Sequence, residues 1–272
     1  EKFLISDIVE EWVRQGHEVR VLTQVPYYPR GRLYPGYANE FTCAMENGAW
    51  VTRFKTVLGY RESLVRKLLN YLLFMLRASW HCLRESRGVE NVFVFQTGPL
   101  SQALPLVLLK WLCRKRTSIW TQDVWPDAVF AYGFKDKGSL AVLLKAFVRV
   151  VYRSCDEICV SSPGFVDRLG PYLSSAARAV FIPQWVPPDF EKSEPHSFEF
   201  KADVTRFIFA GNIGTMQNLR NVILAFGELD ADKAEFYILG DGSLAAELKS
   251  LVAGRGIANV RFLGRVEPSK VK

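Results

Sequence analysis

The sequence contains few histidines, no closely paired cysteines and no long apolar run. Its histidines, His17, His81 and His196, are far apart and form no cluster with other ligand-type residues. The five cysteines include no Cys-x-x-Cys pair, which argues against a zinc site or a disulfide scaffold and is typical of a reducing cytoplasm. Cys155 and Cys159 flank the start of a predicted buried strand, so we expect both to be core residues.

Apolar runs are too short to cross a membrane. A transmembrane helix needs ~20 apolar residues, but the longest runs here, 71–76 and 104–109, end at Arg77 and Lys110. The first residues lead into a charged helical pattern rather than the apolar core of a signal peptide. We therefore expect any membrane role to be peripheral.

Positive charge is concentrated in the first part of the chain. The formal charge is +8 over residues 1–187 and −1 over 188–272, and residues 61–116 hold ten basic against three acidic side chains. Such a surface suits nucleic acid, an anionic membrane or a polyanionic lipid carrier. Segment 64–83 is apolar on most faces and is flanked by cations, so it is either a membrane-interface helix or a helix buried on several sides. The concentrated charge favours membrane contact.

Short apolar strands alternate with amphipathic helices, which predicts parallel sheets wrapped by helices. A helix over 3–13 precedes a buried strand over 19–23. Further strands are predicted at 91–96, 118–121, 157–160 and 179–182, with helices at 62–86, 100–114, 139–153 and 162–172. Because a strand normally precedes the first helix of such a sheet, we expect the chain to begin inside its first domain.

A change in composition after residue 183 predicts two domains. We assign 1–187 to the first, 188–205 to a linker and 206–272 to a partial second domain. The second has strands predicted at 206–210, 235–239 and 259–263, and helices at 218–228 and 243–254. This run is too short for a complete domain.

Glycines stand where the strands of the second domain end. Gly211-Asn212-Ile213-Gly214 lies between a strand and a helix, where glycines let backbone N–H groups approach an anion such as a nucleotide diphosphate. Glycine at such a turn can also be purely steric, and the spacing is neither GxGxxG nor a P-loop. The turns at Gly240 and Gly264 can each be ordinary tight turns.

Taken together, the three turns carry a resemblance. FAGNIGTMQNLRNVILAF (209–226), YILGDGSLAAELKSL (237–251) and NVRFLGRV (259–266) resemble the donor-binding domain of family 4 glycosyltransferases with the GT-B fold. EEWVRQGHEVRVLT, VYRSCDEICVSSPGFVDRL and FIPQWV are similar to segments of the family's first domain and its crossing to the second. VPYYPRGRLYPGY and TQDVWPDAV resemble enzymes of bacterial O-antigen and capsule assembly, including L-fucosamine transferases.

The resemblance implies an α/β GT-B fold in which two Rossmann-like parallel-sheet domains face a cleft, the second domain being incomplete here. It also implies a retaining transferase that needs no metal or other cofactor. The donor site would comprise residues of the three turns, namely Gly211, Asn212, Gly214, Gln217, Gly240, Arg265 and Val266. Many members have Arg and Lys at the positions of Asn212 and Gln217, so phosphate here would depend on backbone donors or on another cation such as Arg265.

Acceptor-side candidates lie in the first domain. Asp123 and Trp125 follow a strand at the edge where α/β ligands bind, and Asp123 either orients a sugar hydroxyl as the catalytic candidate or caps a helix. A second group of candidates follows the strand at 19–23 and provides aromatic rings and cations for a sugar and its carrier pyrophosphate: Tyr27, Tyr28, Arg30, Arg32 and Tyr34. A solvent-exposed loop with incidental aromatics is the alternative.

The leading hypothesis is transfer of a sugar from a UDP- or GDP-sugar donor to a lipid-linked or oligosaccharide acceptor. The reaction would serve O-antigen (lipopolysaccharide) or capsule synthesis, in the cytoplasm, at the inner face of the cytoplasmic membrane. Partners would be the donor, a lipid-linked glycan and the anionic membrane, but not nucleic acid, because no helix-turn-helix, RRM or zinc pattern is present. One alternative is a GT-B sugar-nucleotide epimerase, which needs acid–base side chains that the three histidines are poorly placed to supply. Another is an inactive truncated form, because the family's carboxylate motif would follow Lys272 and its Gly-rich loop would precede Glu1.

Overall fold

The computed structural model describes residues 4–28, 31–59, 63–131, 133–174, 177–186 and 203–266. These residues fall into two compact units, Glu1–Trp185 and Val186–Lys272.

The first unit alternates helices and strands along the chain. Its helices, numbered in chain order, are α1 Leu4–Arg14, α2 Leu64–Arg84, α3 Leu104–Cys113, α4 Asp127–Ala131, α5 Ser139–Arg153 and α6 Pro163–Leu169. Its strands are β1 Arg20–Gln24, β2 Thr42–Glu46, β3 Ala49–Phe54, β4 Asn91–Gln96, β5 Arg116–Thr121, β6 Glu157–Val160 and β7 Arg178–Phe181. Single turns of 3₁₀ helix, Leu100–Ala103 and Gly170–Tyr172, extend α3 and α6.

A four-stranded parallel sheet forms the centre of this unit. Its order is β4-β5-β6-β7, and Val94, Ile119 and Ile158 stand side by side across the first three strands. Ile119 and Ile158 are fully buried in one apolar cluster with residues of α5 such as Val148 and Val151. Parallel strands covered by helices must be apolar along their length, which is why the sequence pattern identified them. Cys155 and Cys159 are buried free thiols, as expected.

The carboxylate of Asp156 joins α3 and β5 at the edge of this sheet. It accepts hydrogen bonds from Lys110 Nζ at 2.5 Å and from the Thr117 amide at 2.9 Å. Burial by itself raises the pKa of this carboxyl, but these donors and the positive charge of Lys110 outweigh burial, so the pKa of Asp156 is lowered.

A second sheet in the first unit contains a hairpin outside the predicted elements. Its order is β1-β3-β2, with β1 parallel and β2 antiparallel to β3. The hairpin turns at Asn47 and Gly48, both with positive φ (47° and 81°). An Asn-Gly pair is the strongest short-range hairpin signal, so this turn could have been predicted from the sequence. β2 is mostly exposed and therefore lacks the apolar run by which the other strands were predicted.

The second unit is a smaller parallel α/β layer. It contains β8 Thr205–Ala210, a 3₁₀ turn Thr215–Gln217, α7 Leu219–Gly227, β9 Ala234–Leu239, α8 Ala245–Gly254 and β10 Val260–Gly264. The sheet order is β10-β9-β8, and all six residues of the central strand β9 are buried. Ile213, Ile223, Ile238 and Leu248 form the centre of its core.

Most predicted elements are present. The strands predicted at 91–96 and 157–160 coincide with β4 and β6, and the helix at 139–153 coincides with α5. The others are present with ends displaced by one or two residues. Most of the predicted linker, 188–202, lies outside the described residues. Among the residues the structure describes, no helix is both long and apolar enough to cross a bilayer.

Candidate functional site

The three predicted glycine turns meet at the carboxyl edge of the second sheet. The Gly211 amide donates to Leu239 O at 2.9 Å, and the Ile213 amide donates to Asp241 O at 3.0 Å. The Gly240 amide in turn donates to Gly264 O at 2.7 Å. Turns that are 24 to 53 residues apart in sequence are therefore joined by main-chain hydrogen bonds at the edge where open α/β sheets bind ligands.

Close backbone contact makes two glycines of this edge indispensable. A Cβ at Gly240 (φ +137°) would lie 1.9 Å from Gly211 O, and one at Gly242 would lie 2.2 Å from Ile213 O. Gly214 is less constrained, since its backbone is extended and a Cβ would meet only the side-chain ends of Asn212 and Gln217. Gly242, which we did not predict as a site residue, therefore tolerates a side chain less well than Gly214 does.

Few main-chain donors of the first turn remain for an anion. The amides of Gly211 and Ile213 are used between the turns, and the Gly214 amide donates to Gln217 Oε1 at 3.2 Å. The Asn212 amide has no hydrogen-bond partner among the described residues. A diphosphate held here would therefore need cations as well as the main-chain N–H groups of this turn.

A cavity of about 240 Å³ lies beside these turns and supplies such cations. Arg265 and Lys249 both line it, together with Gly240, Gly264 and the carboxylate-bearing Asp241. Lys249 Nζ also stands 5.8 Å from the ring centroid of Phe262, within the range of a cation–π contact. Lys249 was not predicted, because a lysine on an amphipathic helix is ordinarily a solvated charge. Val266 follows Arg265 at the last described position.

The cavity is small and its lining is mixed. Ligand pockets that enclose a whole small molecule are usually about 300–1,000 Å³, and this cavity is smaller. Apolar walls from Ile213, Ala245 and Phe262 face two cations and one carboxylate. Within the described residues, no group of three or more His, Cys, Asp or Glu side chains is placed to hold a metal ion.

Asp123 lies at the carboxyl end of β5 in the first unit. Its side chain is exposed to solvent, yet the neighbouring protein atoms raise the pKa of its carboxyl by desolvation. Among the described residues no amide of α4 donates to this carboxylate, and the main-chain carbonyl accepts from Thr121 Oγ1 at 2.9 Å. The helix-capping alternative is therefore not supported by the hydrogen bonds of the described residues.

A buried polar group that sequence reasoning missed supports this end of the sheet. Gln96 and Thr121, at the ends of β4 and β5, are fully buried and hydrogen-bonded to one another. Tyr152 Oη lies 3.4 Å from Thr121 Oγ1, and burial raises the pKa of Tyr152 to about 12. Trp125 packs against the apolar core instead of standing free for a sugar ring.

Tyr27 is held by hydrogen bonds inside the first unit. Its hydroxyl donates to Gln24 Oε1 at 3.1 Å and accepts from Asn70 Nδ2 at 2.8 Å. Asn70, 1% exposed, also accepts from Thr56 Oγ1 at 3.1 Å and from the Val57 amide at 2.9 Å. Burial raises the pKa of Tyr27. Tyr27 therefore positions the loop that follows it and does not present its hydroxyl to a ligand.

The remaining loop candidates differ in availability. Tyr28 is 66% exposed. The Tyr34 hydroxyl donates to the Tyr28 carbonyl at 3.0 Å, which ties these two positions of the loop together. Arg30 lies outside the described residues. Tyr28 is thus the aromatic side chain of this group that can stack on a sugar.

Comparisons with known proteins match both units. Residues 4–185 match the model of the "Glycosyl transferase 4-like domain", and residues 191–272 match "Glycosyl transferases group 1". The chain is 27% identical over 275 residues to "Putative colanic acid biosynthesis glycosyl transferase WcaI" of Escherichia coli (strain K12), covering 94% of this chain and 66% of the relative. It is 26% identical over 196 residues to "Probable glycosyltransferase WbjE" of Pseudomonas aeruginosa, covering 67% of this chain and 47% of the relative. The chain thus spans between about half and two thirds of these relatives.

Two solved structures have the same fold class. The crystal structure of WaaG, a glycosyltransferase involved in lipopolysaccharide biosynthesis, matches 97% of the chain and is itself covered to 67%, with a TM-score of 0.55 and 15% identity. The OtsA apo structure matches 92% of the chain and is covered to 74%, with a TM-score of 0.60 and 10% identity. The α/β GT-B fold expected from the sequence is confirmed.

Proposed function

The chain belongs to the glycosyltransferase 4-like family. We propose that it acts as a bacterial glycosyltransferase of surface-polysaccharide synthesis. The enzyme would transfer a sugar from a UDP- or GDP-sugar to a growing glycan. The names of its relatives, which refer to colanic acid and lipopolysaccharide biosynthesis, support this class of product. The observation that carries the proposal is the meeting of three glycine turns beside a cavity that two cations line.

The donor diphosphate would lie at this edge of the second unit. As the glycosidic bond breaks, negative charge accumulates on the leaving diphosphate, and preorganised cations and N–H groups stabilise it. Lys249 and Arg265 would provide the positive charge that the neutral residues Asn212 and Gln217 do not. Gln217 Oε1 already accepts from the Gly214 amide, so its NH₂ group is the donor left for a phosphate oxygen.

The acceptor would be lipid-linked or an oligosaccharide, and the reaction would take place at the inner face of the cytoplasmic membrane. In the first unit, Asp123 would accept a hydrogen bond from a sugar hydroxyl, and the exposed ring of Tyr28 would stack on a sugar face. Thr121 and Gln96 would hold the Asp123 main chain in place without touching the substrate.

Calorimetric titration with UDP and GDP tests the donor site directly. We expect one of the two to bind, and Lys249→Gln to weaken binding by about 10- to 150-fold, as expected for loss of one charge-assisted contact of about 1.5–3 kcal/mol. The matched control is Lys233→Gln, because this exposed lysine of the same unit pairs with Asp230 at 3.7 Å and is not among the residues that line the cavity. If neither nucleotide binds the parent protein, or if the two variants lose equal affinity, the proposed donor site is wrong.

A further inference from the structure

Helix α2 presents an apolar face that nothing in the described structure covers. Its opposite side is buried through Asn70 and Ala78. The face on the other side carries six large side chains at spacings of three or four residues, each 43–73% exposed: Val65, Leu68, Leu69, Leu72, Leu76 and Trp80. At 1.5 Å per residue the face is about 22 Å long.

A face of this kind differs from the scattered apolar residues found on any protein surface. Single exposed leucines are ordinary, but a continuous apolar stripe on a surface helix marks a contact with another apolar phase. The other side of α2 packs on the unit through Asn70, Ala78 and the Phe74 ring, whose centroid lies 6.1 Å from that of Phe54, and the Ser63 hydroxyl accepts from the Arg66 amide at the first turn. The stripe is therefore left exposed while the opposite side of the helix is packed.

A cationic groove adjoins the carboxyl end of the stripe. Its volume is about 550 Å³, and Lys55, Arg77 and Arg84 line it against one carboxylate, that of Glu85. Arg77 Nη1 donates to Lys55 O at 3.0 Å, which holds the guanidinium at the groove. Trp80 belongs both to the groove and to the stripe, so the cations border the apolar face.

We propose that this face of α2 and its groove dock the protein on a bilayer of anionic phospholipid. The apolar stripe would enter the acyl boundary in the plane of the membrane, the Trp80 ring would lie at the headgroup level, and the groove cations would bind lipid phosphates. Positive charge beside the stripe selects this occupant over a second copy of the chain, which would bring the same charges to the contact. Nucleic acid would meet the cations but would leave the apolar stripe in water.

The inference deepens the proposed function by naming the surface through which the enzyme would reach a lipid-linked acceptor. Only that link to the acceptor rests on the proposed function. The docking surface and the donor cavity lie in different units of the chain, so membrane binding and nucleotide binding are measured independently. A negative result for membrane binding would therefore not contradict the donor site, and a negative result for nucleotide binding would not contradict the docking surface.

Vesicle flotation tests the proposal with two kinds of liposome. We expect the chain to float with vesicles of equal phosphatidylcholine and phosphatidylglycerol, and not with pure phosphatidylcholine. Each Lys or Arg near an anionic surface strengthens binding by about fivefold, so Arg77→Gln/Arg84→Gln should weaken it by about 25-fold. Arg77→Lys/Arg84→Lys should restore most of the binding, because lysine keeps the charge.

The apolar contribution is tested by Leu68→Gln/Leu72→Gln/Leu76→Gln. Glutamine keeps the helix propensity, and these side chains are 46–58% exposed, so we expect unchanged thermal unfolding but a loss of at least about tenfold in vesicle affinity. The matched apolar control is Leu140→Gln/Leu143→Gln on α5, where the side chains are 66% and 68% exposed. The matched basic control is Lys135→Gln/Lys137→Gln. Both controls should bind as the parent does.

Each of four flotation results would overturn the proposal, as would the displacement by DNA described below. They are no flotation of the parent, equal flotation with phosphatidylcholine alone, equal binding by the α2 triple variant and the parent, and equal losses in the controls. Soluble glycerol phosphate at millimolar concentration should leave flotation unchanged, because it lacks acyl chains. If duplex DNA at the same salt concentration displaces the vesicles, the surface belongs to nucleic acid instead.

Discussion

Replacing Gly240 with alanine would place a methyl group where the second unit has no room for one. The new Cβ would lie 1.9 Å from Gly211 O, which is a main-chain atom and cannot rotate away. The backbone at Gly240 also has φ +137°, a conformation that L-residues rarely adopt. The turn after β9 must therefore move away from the turn after β8, and the hydrogen bond from the Gly211 amide to Leu239 O will lengthen or break.

The expected cost follows from these two effects. Backbone strain of this kind costs about 1–3 kcal/mol, and each main-chain hydrogen bond lost costs about 1 kcal/mol, so we expect the second unit to lose about 3 kcal/mol of stability. Two other glycines of the same unit separate the effects. Gly256→Ala, at φ +64° with nothing within 4 Å, should cost about 1 kcal/mol from strain alone. Gly254→Ala, in α8 with nothing within 4 Å, should stabilise the unit by about 0.5–1 kcal/mol.

Two optical signals assign the effect to a unit. All seven tryptophans lie in residues 1–185, so tryptophan fluorescence reports on the first unit, whereas far-UV circular dichroism reports on both. In urea, Gly240→Ala should shift only a dichroism transition and leave the fluorescence transition in place. The variant should also lose UDP or GDP binding. A Gly240→Ala protein no less stable than Gly256→Ala would refute the close contact between the turns.

Three further predictions concern the first unit. Asp156→Asn should cost about 1 kcal/mol at neutral pH in urea unfolding. The folded-state pKa of this carboxyl is lowered, so its stabilisation is fully present above the unfolded pKa of ~3.9. The cost of the substitution should therefore disappear as the pH falls through the folded-state pKa. Asn70→Leu should cost about 2–4 kcal/mol by leaving its buried partners unpaired, and spectrophotometric titration should show Tyr27 ionising at a different pH. Cys43, which is exposed, should react fastest with a thiol reagent at pH 8.

Each of these has a matched control. Asp230→Asn removes an exposed ion pair and should change the unfolding free energy little at any pH. Asn221→Leu, at an exposed position of α7, should cost far less than Asn70→Leu. Cys43→Ser should remove the fast thiol phase, because burial raises the pKa of Cys155 to about 12 and that of Cys159 to about 11. A phase that stays equally fast after Cys43→Ser would contradict the assignment of Cys43 as the exposed thiol.

Elements whose structure depends on local periodicity are predictable from the sequence. Strands such as β4 and β6 are short apolar runs between turn residues, and α5 is amphipathic, so each element identifies itself within its own segment. The exposed strand β2 has no such run. The hairpin that it forms with β3 was not predicted, although the Asn47-Gly48 pair is typical of such a turn.

The candidate site depended more on contacts between distant segments. Tyr27 was predicted to face an acceptor, but Asn70, 43 residues further on, binds its hydroxyl. Lys249 resembles any solvated helix lysine in the sequence, yet the structure places it in the cavity wall with Arg265. Neither outcome can be derived from spacing, because both depend on how separate elements pack.

The sequence alone determined the α/β alternation, the three glycine turns and the family, because these depend on residue order within short segments. The tertiary structure decided which glycines are indispensable, because the approach of Gly240 to Gly211 O and of Gly242 to Ile213 O leaves no room for a Cβ. It also shows that segment 64–83 is covered on one side only, because the stripe from Val65 to Trp80 lies on the side of α2 that the unit leaves open, and membrane contact at that stripe is our proposal. Burial results from the packing of all elements together, and a helix does not reveal in isolation which of its sides will be covered.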